Sequence, residues 1–264
     1  MSDQPDFAAL AHHFDGTGIR AIVLMGSYAR GAPGQYSDVD LVRFVEGDLA
    51  SSALASGSFL IDDRLVVVSD TSSAAVETWF SNPDAAVKVI AGLRVGRALV
   101  DRDDYFAAIQ ERARAFAWDA AMQARADVWA SQQMVGWIEE VHKGLAGIRT
   151  DDIGRMLNAR FGLSWGLSRV MQTKRGVLLS SDNAFYGELI TVMGSDSEWV
   201  RLRRDAFGIE DAHGHAPSLR EQVIAGLHLY VVTAGLLTAA LQPADAPLIA
   251  ATVRRIHESL DGGA

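Results

Sequence analysis

The chain contains no cysteine. A disulfide framework, a thiolate zinc site and a cysteine nucleophile are therefore ruled out, and any chemistry falls to Ser, His, Asp, Glu, Lys or Arg. Positive charge is scarce as well: 24 Lys and Arg stand against 33 Asp and Glu, for a formal charge of -9 and a pI near 5.2. A duplex-binding face needs clustered cations to neutralise phosphates and is not expected, although an acidic chain can still hold a nucleotide at a local site. Neither the Walker pattern G-x-x-x-x-G-K-[ST] nor the Rossmann pattern G-x-G-x-x-G occurs at a strand-to-helix junction, so two common ways of cradling a nucleotide are missing. One long uncharged run stands out, Val223 to Leu241. His228, two Thr and two Gly interrupt it, and Arg220 and Glu221 beside it give no positive bias. It reads as a buried helix stopped by Pro243, and no membrane span is expected. Met1 to Phe7 lacks the basic start and apolar stretch of a secretory signal, so a cytoplasmic location is expected.

What the chain does have is size and apolar content. Its 264 residues, 49% of them hydrophobic, suffice for one large domain or two small ones with a real core. The first part alternates strand-like and helix-like patterns. Ile19 to Met25 is an apolar, β-branched run ending in Gly26, and Asp38 to Val45 alternates as a second strand. Phe59 to Ile61 and Leu65 to Ser69 flank Asp62-Asp63-Arg64 as a hairpin. Pro83 to Leu93 and Asp103 to Phe116 read as helices, with a short strand at Arg97 to Val100 between them. From Trp118 onward the strand signals fade. Ala120 to Leu145, Met156 to Met171 and Ala184 to Val192 are helical in style, as is the uncharged run described above. An α/β domain with a small mixed sheet, followed by a mostly α-helical domain, is the expected architecture.

The most informative residues are Gly26, Ser27, Tyr28, Ala29, Arg30 and Gly31, followed by Ser37, Asp38, Val39 and Asp40. A strand ends in Gly-Ser, a short turn follows, and the next strand opens with Asp-x-Asp. Side chains two apart on a strand share a face, so Asp38 and Asp40 present their carboxylates together. Two like charges so close are costly unless a cation lies between them, and magnesium favours a site of one or two carboxylates plus substrate phosphates. Gly26 lets the backbone approach a phosphate, Ser27 can hydrogen-bond its oxygens and Arg30 can add a charged fork.

This arrangement resembles the polymerase-beta-like nucleotidyltransferase superfamily, in which Gly-Ser is followed some ten residues later by Asp-x-Asp; here the ten residues Tyr28 to Ser37 intervene. The resemblance implies a nucleotidyltransferase domain over residues 1–117 and a helical substrate-binding domain over 118–264. It implies Asp38 and Asp40 as catalytic metal ligands for Mg2+, and Gly26, Ser27 and Arg30 as the ATP-binding set. The superfamily places a third carboxylate on the next strand, where this chain has Val66 and Val68, with Asp70 at the strand end. Within the superfamily the plan is similar to the kanamycin-type antibiotic-modifying enzymes. There a helical-domain Glu takes the acceptor proton and a Lys one turn later contacts phosphate, which implies Glu139 as base and Lys143 as phosphate ligand; Glu140 is equally available. The implied reaction moves AMP from ATP to a hydroxyl of an aminoglycoside-like small molecule, a polycation that a net acidic protein attracts. Two alternatives stand beside it: an antitoxin-type adenylyltransferase acting on a partner protein, and a degenerate module that binds nucleotide without turnover. Homodimerisation is left open by the sequence.

Other signals compete. Gly162, Leu163, Ser164, Trp165 and Gly166 spell the G-x-S-x-G of a hydrolase elbow, but the residues before them read as helix, so a packed helix is expected. His213 and His215 beside Asp211 form an H-x-H without a third nitrogen ligand at hand, and read as a loop.

Overall fold

The alternating apolar segments of the first part assemble into one mixed sheet. The computed structural model describes residues 4–46, 56–211 and 213–261. These fall into two compact units, one comprising Met1–Trp118 with Leu178–Asp182, the other Asp119–Val177 with Asn183–Ala264. In the first unit the elements run α1 (Phe7–Phe14), β1 (Ile19–Leu24), α2 (Gly26–Ala29), β2 (Val39–Val45), β3 (Gly57–Ile61), β4 (Arg64–Ser72), α3 (Ser73–Ser81), α4 (Pro83–Val95), β5 (Arg97–Asp101) and α5 (Tyr105–Ala115). The strand order is β3-β4-β2-β1-β5; β2 and β4 are parallel and the other neighbours antiparallel.

Local chemistry sets the ends of these elements. The Asp6 carboxylate accepts from the N–H groups of Ala8 and Ala9 at the start of α1. Asn82 caps α4, whose first residue is Pro83, a position where the missing N–H costs nothing. The β3–β4 hairpin turns on Asp62 and Asp63, both at positive φ, while Arg64 pairs with Ile61 inside the ladder. The turn is thus two residues long, one shorter than the sequence pattern suggests, in keeping with the left-handed pair that tight hairpins prefer.

Pleating divides the sheet residues between two faces. Val39, Leu41, Val66 and Val68 pack with Ile22 and Leu24 against Leu10 and Phe14 of α1. On the opposite face Phe44 meets the rings of Trp79, Tyr105 and Phe106 from α3 and α5. Arg43 is fully buried and makes a two-pronged ion pair with Asp70, at 2.6 and 2.9 Å, which joins β2 to β4 by a strong charge-assisted link.

The second unit is helical: α6 (Ala120–Gly136), α7 (Ile138–Thr150), α8 (Ile153–Phe161), a π-helical turn at Gly162–Gly166, α9 (Leu167–Lys174), α10 (Phe185–Met193), α11 (Glu198–Phe207), α12 (Leu219–Leu236) and α13 (Ala246–Asp261). The single helix expected over Ala120 to Leu145 is two, which meet at Gly136–Trp137, where the glycine weakens helical continuity. The uncharged run forms α12, opened by a capping box between Ser218 and Glu221 and ending at Leu236, well before Pro243. Its Tyr230 hydroxyl donates to the Met134 carbonyl of α6. Among the described residues no helix is long and apolar enough to cross a membrane.

Candidate functional site

The loop between β1 and β2 brings Gly26, Ser27, Asp38 and Asp40 together. Met25 continues the strand pairing by donating its N–H to the Asp40 carbonyl at 2.9 Å, after which Gly26 turns at φ +64 into the single turn of α2. A methyl group at residue 26 would stand 2.0 Å from Asp40 Oδ2. The glycine therefore does two things: it adopts a left-handed backbone that other residues resist, and it leaves room for the Asp40 carboxylate. Ser27 is half-buried and Arg30 exposed. Before Asp38 the chain is tied by a small turn in which Gly34 N–H donates to Ser37 Oγ and Ser37 N–H to the Gly34 carbonyl.

Asp38 and Asp40 are both half-buried. The Asp40 carboxyl is pushed up to about 6, first by burial and then by the negative charge of Asp38, while Arg30 pulls the other way and Asp182 adds to the push. This is the electrostatic signature of a pair that a divalent cation would relieve. Two carboxylates at one strand end, under-compensated in this way, are a donor set that a hard divalent cation would fit. Among the described residues no group of three His, Cys, Asp or Glu closes a metal cage by itself.

The strand register corrects the position expected for a third carboxylate. Val66 pairs with Val39 and Val68 with Leu41 on the core face, and the residue beside Asp40 is Val67. The strand-end acid, Asp70, is taken up by Arg43. The acid whose charge reaches Asp40 is instead Asp182, at the end of the segment Leu178–Asp182, which is anchored to α4 by the Leu179 N–H donating to the Val87 carbonyl at 3.0 Å. Sequence reasoning missed Asp182, for it sits in SSDNA with no periodicity or motif to mark it. Asp40 also lines a cavity of about 310 Å3, together with Met25, Val67, Ser69, Trp79 and Lys88.

Glu139 and Lys143 lie in the second unit, in the first turns of α7. Lys143 Nζ bridges Glu139 Oε1 at 2.9 Å and Glu140 Oε1 at 2.8 Å. The two acids differ in setting, since the Glu139 side chain is 75% exposed and that of Glu140 17%. The hydrogen bonds that the Lys143 ammonium donates to Glu140 and Glu139, in that order, hold its pKa above the ordinary value.

The competing signals resolve as packing. Ser164 is 2% exposed in the π turn, and α8 rather than a strand precedes it, so the elbow geometry is not formed. The backbone N–H groups of His213 and His215 both donate to Asp211 Oδ1, which closes a loop.

Residues 10–80 match the family model of the nucleotidyltransferase domain, a span that holds Gly26, Ser27, Arg30, Asp38 and Asp40. No curated protein matches. Among solved structures, a nucleotidyltransferase-like protein from Exiguobacterium sibiricum aligns at 13% identity over 88% of this chain and 76% of its own, with a TM-score of 0.46.

Proposed function

We propose that the chain, with its nucleotidyltransferase domain at residues 10–80, moves a nucleoside monophosphate, AMP from ATP, to a hydroxyl of a small molecule. The observation that carries this reading is the under-compensated acid pair Asp38 and Asp40, set against the Gly26 turn. Asp38 and Asp40 hold Mg2+, which when bound neutralises the triphosphate and polarises its phosphoryl oxygens. Gly26 admits the phosphates, Ser27 hydrogen-bonds to them and Arg30 offsets their charge. Asp182 contributes further negative charge beside Asp40, where the neighbouring strand offers Val67.

On the acceptor side, Glu139 takes the hydroxyl proton and Lys143 contacts phosphate. The support for these two roles is chemical: an exposed carboxylate one helical turn from an ammonium. An aminoglycoside-like acceptor suits the net charge of -9. The cytoplasm, where ATP and magnesium abound, is the setting this reaction requires. Val67 beside Asp40 favours one second reading, a module that binds nucleotide without turning it over.

The test is pyrophosphate release from each of the four common nucleoside triphosphates with magnesium, against a pooled panel of aminoglycosides, lincosamides and simple polyols. Acceptor-dependent release that disappears in Asp40→Asn supports the transferase. Unchanged release in that variant overturns the metal assignment, and magnesium-dependent ATP binding with no release favours the second reading.

A further inference from the structure

The register of β2 and β4 lays two rows of side chains next to each other on the face that carries Asp40. Asp40, Val42 and Phe44 alternate along β2, and their partners Val67, Ser69 and Thr71 do so along β4. Both strands lie inside the sheet, and on the α1 face their residues Val39, Leu41, Val66 and Val68 are at most 2% exposed. On the Asp40 face, by contrast, Val42 and Val67 are only half-buried and Ser69 is exposed. Apolar residues in the middle of a sheet are normally covered, so α3 and α4 leave the head of this face open.

The opening is the cleft of about 310 Å3 that Asp40 lines. It is closed at the far end by Phe44 and Thr71, both buried, where Phe44 meets the Trp79 ring nearly at right angles with centroids 6.1 Å apart. Trp79 of α3 forms one wall, and Lys88 and Gly92 of α4 belong to the other. Gly92 holds that wall back even though glycine is unfavourable inside a helix: a Cβ there would come within 3.2 Å of Met25 Cε. Charge within the cleft is cancelled. The Lys88 ammonium is held by Asp84 at 2.5 Å and the Asp70 carboxylate by Arg43, which leaves Asp40 as the under-compensated group on its lining.

We propose that this cleft receives the base of the nucleoside triphosphate, stacked on Trp79, while the phosphates lie at Asp38 and Asp40. The inference rests on the proposed transfer reaction, which sets the triphosphate at that acid pair. Three features choose the base over the acceptor. The volume stands at the lower limit of small-molecule pockets, about 300 Å3, and so admits one ring system rather than several linked sugars. Beyond Asp40 the walls carry no net charge to hold a polycation. An aromatic wall suits a flat ring, and every base has a π face. The Ser69 hydroxyl can donate or accept at the edge of the base, so Trp79 supplies affinity and Ser69 accommodates more than one base.

The test is calorimetric titration of the full chain with magnesium ATP and, separately, with magnesium tripolyphosphate, which carries the phosphates without a base. Trp79→Ala removes the stacking wall, and Ser69→Phe fills the cleft from an exposed position. Each should weaken ATP binding about tenfold and leave tripolyphosphate binding unchanged. Ser69→Phe keeps the test decisive should loss of the Phe44 contact disturb the fold of Trp79→Ala, and circular dichroism checks both variants. Unchanged ATP affinity in a Ser69→Phe variant that keeps the wild-type spectrum, or an equal loss of both ligands, overturns the inference. In either case tripolyphosphate binding by the wild-type chain leaves the transfer reaction standing. A wild-type chain that binds neither ligand brings down both readings, so the two failures are distinguishable.

Discussion

Asp38 and Asp40 at the head of β2, and Glu139 and Glu140 at the head of α7, are two pairs of neighbouring acids treated in opposite ways. The glutamates share Lys143, which touches both, and they sit in the first turn of a helix, where negative charge is favoured. The aspartates have no such bridge. Among the described residues the counter-charge that reaches Asp40 is Arg30, and burial, Asp38 and Asp182 outweigh it. One pair shares a lysine within the fold; the other is left with its negative charge under-compensated. Proximity of carboxylates is thus a weak sign of metal binding, and the missing compensation is the stronger one.

The largest expected break in this contrast comes from Asp40→Asn. Pyrophosphate release should drop at least about a thousandfold as a ligand to the metal is lost. The metal-free protein should meanwhile become more stable, by an amount of order 1 kcal/mol once solvent screening of a half-buried group is allowed for. Thermal melting of both proteins without magnesium checks the second half, and a lower midpoint for the variant would show that the aspartates are compensated after all.

Gly26→Ala should come next, with activity down about a hundredfold and stability reduced by roughly 2 kcal/mol, because the methyl group meets Asp40 Oδ2 in a left-handed turn. Denaturant melts alongside the transfer assay test both figures.

The pH dependence sharpens the comparison further. The Asp40 carboxyl lies near 6 in the folded chain against an ordinary value of 3.8, so between these pH values the metal-free fold holds a proton that the unfolded chain releases. Its contribution to stability therefore rises as pH falls through that window, whereas magnesium must compete with the proton. Magnesium-induced thermal stabilisation should fade below about pH 6, and a shift that is flat from pH 7 to 5 would argue against Asp40 as a ligand. The smallest effect is expected for Asp182→Asn. It should lower the Asp40 pKa, visible by carbon-detected NMR titration, and reduce transfer only several-fold, since this acid acts beside the pair rather than within it.

Much of the first unit was legible in sequence. Apolar runs with β-branched residues gave away β1 and β2, and the Asp-Asp turn marked the β3–β4 hairpin, because period-two patterning and turn chemistry are local. The Gly-Ser and Asp-x-Asp segments were readable for the same reason. What escaped was non-local. The pairing of β2 with β4 sets Val67, not Val66 or Val68, beside Asp40, and no pattern within either strand states that register. Asp182 is likewise invisible until the chain returns to pack on α4 through Leu179. In the second unit, Glu139 and Glu140 are indistinguishable as letters, yet one is exposed and the other is pressed against Gly162.

The sequence by itself determined the strand and helix propensities, the missing thiol chemistry and the closeness of Asp38 to Asp40, since each depends on composition or on residues a few positions apart. Only the tertiary structure decided which further acid bears on Asp40, that Gly26 must yield space to its carboxylate, and that the sheet beside it stays open as a cleft. Those outcomes depend on burial and on charges brought together from distant parts of the chain, and it is burial that makes an uncompensated charge costly enough to carry meaning.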